Sequence, residues 1–141
     1  MWIRLALREL RSKGENTMMN QYFGELTYSI GWKTTRYIQL FGKNHSITVK
    51  IQVDDAETGL SPAQEDACRA YIEHEAENLK CMEQLMLDFS ANAASRFSPR
   101  RLLFNYFGGC ALLCDDESDL DEGIAVCILP EKCVEYQSDY L

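Results

Sequence analysis

Histidine is nearly absent from this chain, and the two present, His45 and His74, lie far from any serine or cysteine in a nucleophile setting such as Gly-x-Ser-x-Gly. A histidine after a turn (His45) or on a helix flank between two glutamates (His74) reads as a surface or capping group. There is no Gly-rich phosphate loop: Gly108-Gly109 is a bare dipeptide, while Gly24, Gly31 and Gly42 read as turn glycines. The six cysteines include no Cys-x-x-Cys pair, the usual mark of a structural zinc site, so they read as reduced core thiols. No apolar run is long enough for a membrane span, and the amino-terminal stretch is too interrupted for a signal-peptide core, so a cytoplasmic location is expected. Positive charge is also scarce. Fourteen Lys and Arg against twenty-two Asp and Glu give a net −8, which argues against a nucleic-acid partner. These gaps leave catalysis without its usual residues, and the expectation is a non-enzymatic protein with no cofactor.

What the chain does have is concentrated acid. Residues 115–122 read Asp-Asp-Glu-Ser-Asp-Leu-Asp-Glu, with Asp115, Asp116, Glu117, Asp119, Asp121 and Glu122 between two apolar runs and Gly123 marking the exit. Charges this dense repel, so folding alone gives little reason to gather them. A calcium loop is one explanation, since Glu117, Asp119 and Asp121 alternate, but the sixth position holds Glu122 instead of glycine and no helices flank the loop. The helix described below adds Glu73 and Glu77, like charges at i,i+4. The two acidic surfaces together suggest a complement for Lys and Arg on another protein, where such fields speed encounter and enforce specificity. Arg96, Arg100 and Arg101 form the one basic cluster beyond the amino terminus and are expected to flank a short helix and pair with local carboxylates.

At 141 residues the chain suits a single domain. Residues 1–20 carry a net +2, leaving −10 on residues 21–141, and they read as a non-core arm. Lys13-Gly14-Glu15 could be encoded by a ribosome-binding purine run, with the natural start at Met18 or Met19 and residues 1–17 dispensable. Residues 22–28, 36–41 and 46–53 then read as a three-stranded antiparallel meander, with Ile47, Val49, Ile51 and Val53 on one face. Ser61-Pro62-Ala63-Gln64 carries a capping-box signature. Apolar positions at Cys68, Ile72, Leu79, Met82, Met86 and Phe89 extend one long amphipathic helix to about Ala93. Glu75 falls inside that stripe and is expected to snorkel to water. Ser98-Pro99 is expected to open a short helix to about Asn105. Strands over 109–114, 124–129 and 134–136 close the chain. The order β-β-β-α-α-β-β-β predicts an α+β fold, an antiparallel sheet packed by one long helix.

The segments Tyr22-Phe23-Gly24-Glu25-Leu26, Trp32, Ile38, Leu40-Phe41-Gly42-Lys43, Leu112-Leu113-Cys114-Asp115, Gly123-Ile124-Ala125-Val126 and Val134-Glu135 resemble a group of small bacterial domains of unknown function. Members of that group occur among immunity proteins of polymorphic-toxin and contact-dependent growth inhibition loci. The resemblance covers about residues 22–141 and carries no catalytic residues; Ser98–Tyr106 and the extra cysteines depart from it. It implies a cytoplasmic protein that binds and blocks a toxin domain made in the same cell. On that reading the six loop carboxylates, with Glu73 and Glu77 secondary, would engage a basic, nuclease-type toxin. The alternatives are a metal-binding protein or metal-dependent enzyme using cysteine and acidic-loop ligands, and a general adaptor.

Overall fold

A computed structural model of the chain describes residues 16–141; the expectations for residues 1–15 of the amino-terminal arm lie outside the described residues. Eight strands form one sheet in sequential order: β1 (Thr17–Asn20), β2 (Gly24–Tyr28), β3 (Trp32–Leu40), β4 (Lys43–Ile51), β5 (Phe97–Phe104), β6 (Cys110–Asp116), β7 (Gly123–Leu129) and β8 (Cys133–Tyr136). Every neighbouring pair is antiparallel except β4 and β5, which run parallel. A parallel pair needs a crossover, and residues 52–96 supply it with helices α1 (Pro62–Glu73), α2 (Glu75–Phe89) and α3 (Ala93–Arg96). A last short helix, α4 (Gln137–Tyr140), follows β8. The α+β class stands, but the sheet is mixed and has eight strands where six were expected.

Two of those differences have clear physical causes. The segment expected to be a helix from Ser98 is strand β5. Its Leu102 and Phe104 join the core under the helices, while Leu103 joins a second apolar cluster with Ala111, Leu113, Ala125 and Cys127. Over Leu102–Phe104 the strand is covered on both faces and shows a continuous apolar run instead of alternation, which hides its period of two. Pro99 is accommodated because the β5–β6 register shifts between Pro99 and Arg101, a bulge where a missing N–H is tolerated. The other addition, β1, pairs along β2 from Thr17↔Thr27 to Asn20↔Gly24, so residues 17–20 of the expected arm form the edge of the sheet.

The long helix is interrupted. The capping box is present at Ser61, whose hydroxyl accepts from the Gln64 N–H while the Gln64 side chain accepts from the Ser61 N–H. The chain then leaves helical geometry at His74 (φ −132°, ψ 36°) without a proline or glycine. Freed carbonyls at the break are satisfied by the Asn78 side-chain amide, which donates to Ala70 (3.3 Å) and Tyr71 (3.1 Å). The break ends the i,i+4 relation between Glu73 and Glu77. It also redirects α2 diagonally across the sheet, from β3 near Glu75 to β8, where Phe89 meets Phe97 and Tyr136 edge-on or tilted.

Candidate binding surface at the β6–β7 turn

The acidic segment spans the end of β6, the turn and the start of β7, and its six carboxylates have different environments. Asp116 is 2 % exposed. Arg96 Nε donates to both its oxygens (3.1 and 3.2 Å) and Nη2 to Oδ2 (2.9 Å), while the Ser118 hydroxyl and N–H donate to Oδ1 at 2.6 and 2.9 Å. The Arg96 hydrogen bonds hold its carboxyl at about 2, below its ordinary 3.8, despite the opposing effect of burial. Asp116 is therefore an internal strut, a correction to its place in the expected partner-binding set.

Around that strut the turn is closed by backbone bonds. The Glu117 N–H donates to the Arg96 carbonyl (2.7 Å), Asp119 N–H to the Asp116 carbonyl and Glu122 N–H to the Asp119 carbonyl, both at 3.1 Å. Side chains tie it outward. Ser98 donates to Glu117 (2.8 Å), Ser138 of α4 to Glu122 (3.0 Å), and Arg100 Nε to Asp115 (2.7 Å). Glu117, Asp119 and Asp121 remain exposed at the tip. Between the last two stands Leu120, 79 % exposed, an apolar residue the sequence reading passed over because its acidic neighbours dominate the pattern. Gly123 closes the turn beneath α4. A Cβ there would meet the Gln137 amide and the Cys114 carbonyl oxygen at 2.5 Å, so only glycine fits.

Glu73 and Glu77 are exposed, with His74 Nδ1 3.9 Å from Glu77. They do not join this surface. Phe89, at the end of α2 that packs near the turn, lies twelve helical positions beyond Glu77, or about 18 Å along the axis. The two acidic patches are distinct.

Of the three arginines expected together, Arg96 and Arg100 are committed to Asp116 and Asp115. Arg101 lies on the face opposite the helices with Lys50 and Lys33. Burial and those two cations push the Lys50 ammonium down from its ordinary value. Glu75 also departs from expectation: it is clamped by Arg36 Nε (2.7 Å) and Nη2 (2.6 Å) in place of snorkelling. Burial works to raise its pKa, but the Arg36 bonds outweigh it and the net shift is downward. A groove of about 350 Å³ beside it is lined by Tyr37, Gln39, Glu75, Leu79, Lys80 and Glu83. Both carboxylates there hold structural bonds, since Glu83 accepts from the Phe41 N–H (2.6 Å) in the hairpin between β3 and β4.

All six cysteines are free; Cys68, Cys110, Cys114 and Cys127 are buried. Among the described residues, the His, Cys, Asp and Glu side chains able to converge on a metal are Cys127, Cys133 and Glu135. This group lies toward the far end of β7, four residues from Gly123 or about 13 Å of strand, so thiols and acidic turn do not form one site. No described helix is long and apolar enough to cross a membrane. No family model, curated protein or solved structure matches the chain.

Proposed function

We propose that this protein is a non-enzymatic immunity protein that captures and neutralises a basic, nuclease-type toxin domain through the β6–β7 turn. What supports this reading is that a densely acidic turn is built around the buried Asp116 carboxylate and its half-buried partner Arg96, leaving Glu117, Asp119 and Asp121 facing solvent around Leu120. A preformed acidic tip meets a cationic site with little ordering cost, and Leu120 supplies a small apolar anchor at its centre. Asp115 and Glu122, partly held by Arg100 and Ser138, flank the contact. Glu73 and Glu77 belong to a separate, secondary patch.

The test replaces Glu117→Gln, Asp119→Asn and Asp121→Asn together, leaving Asp116 in place so that the turn keeps its shape. Protection of cells against the cognate toxin domain should be lost. Association should also become much less sensitive to salt. Full protection by the triple variant rejects the role of the turn.

A further inference from the structure

We propose that Cys127, Cys133 and Glu135 form a binding site for a thiophilic divalent cation, Zn²⁺ foremost. β7 and β8 pair antiparallel with Cys127 directly opposite Cys133, and Glu135 follows two residues later, so all three side chains share one sheet face. That face is opposite the one packed by α1 and α2, because Ile124 and Val126, the alternate residues of β7, join the helix-covered core. The two Sγ atoms and a Glu135 carboxylate oxygen all lie within 4.8 Å of one another, with Cys127 Sγ 3.9 Å from Glu135 Oε2.

Those separations are close to what the metal demands. Tetrahedral ligands about 2.3 Å from zinc stand roughly 3.7 Å apart, so closure asks for shifts of about an ångström at the ligand atoms. Cys127 is buried, Cys133 partly exposed and Glu135 exposed, which leaves the mouth open and a fourth position for water. Two thiols and a carboxylate also suit a borderline-soft cation better than Mg²⁺ or Ca²⁺.

The local electrostatics run the same way. Burial, Cys133 and Glu135 together push the Cys127 thiol up to about 12. Among the described residues Glu135 forms no salt bridge that would relieve this. A bound dication reverses that opposition to the Cys127 thiolate. Binding releases both thiol protons to solvent and forms two Zn–S bonds, so affinity rises with pH. The site is independent of the acidic turn, and its test does not depend on finding a toxin.

The reduced full-length protein should bind one Zn²⁺ in competition with a chromophoric chelator. Co²⁺ in its place should give a thiolate-to-metal charge-transfer band. Cys133→Ser, at a partly exposed position that should fold normally by circular dichroism, should weaken zinc binding by about a hundredfold or more, since even outer-shell changes cost 10–100-fold. Glu135→Gln should weaken it about tenfold. Cys81→Ser, at the other partly exposed cysteine, should match the wild type. Absence of the charge-transfer band in the wild type, or equal zinc affinities for wild type and Cys133→Ser, overturns the proposal.

Discussion

Replacing Asp116 by asparagine keeps the shape of the side chain and removes the charge that Arg96 encloses. Arg96 then loses the anion to which it made contacts of 2.9 to 3.2 Å, and the turn loses its centre. Breaking a fully buried ion pair costs about 3–5 kcal/mol, and a hydrogen bond to a charged group contributes about 1.5–3. Here the Arg96 side chain is 28 % exposed and regains hydration when orphaned, so solvent screening places the cost at the low end, about 2 kcal/mol at pH 7. For a domain of this size that is roughly 5–10 °C in Tm. The pH dependence has a fixed sign. The folded-state carboxyl titrates at about 2, below its ordinary 3.8, so its stabilisation is complete above about pH 5 and is lost as pH falls through 4 toward 2. Urea unfolding of wild type and Asp116→Asn should show the full gap at pH 7 and roughly half of it at pH 3. A variant within about 0.5 kcal/mol of wild type at pH 7, or a gap that does not shrink in acid, would refute the strut.

Gly123→Ala should displace the Gln137 amide that donates to the Cys114 carbonyl (2.8 Å) and destabilise the protein by about 1–3 kcal/mol. Faster hydrogen exchange in residues 137–141 would locate the damage. Gln64→Ala should cost about 2–3 kcal/mol in a thermal melt, because the buried amide donates to the Gln52 (2.6 Å) and Asn105 (3.1 Å) carbonyls as well as closing the capping box. A loss below about 0.5 kcal/mol would show that water satisfies those carbonyls.

Where one face of an element meets solvent, its period could be read directly. Ile47, Val49, Ile51 and Val53 alternate because the other face of β4 carries Thr48 and Lys50, and all four apolar residues are buried as expected. Ser61, Pro62 and Gln64 marked the start of α1 because capping is a local exchange of hydrogen bonds. The acidic turn was equally visible, since a run of six carboxylates in eight residues must keep most of them near water.

Long-range contacts decided the rest. The Leu102–Phe104 run of β5 concealed its alternation because neighbours cover it on both sides, and the parallel β4–β5 pairing joins residues about fifty positions apart. His74 interrupts a helix whose apolar stripe continues across the break, and only the packing of α2 over β3 brings Glu75 to Arg36. Within the turn, equal charges in sequence became unequal in space: Arg96, twenty residues away, draws in Asp116 and leaves Asp119 and Asp121 outside. Likewise Cys127 and Cys133 meet because β7 and β8 pair in one register. Local physics determined which segments could be strand, cap or solvated turn; which carboxylates and thiols came together depended on tertiary register, because side-chain proximity between strands is set by pairing and not by sequence distance.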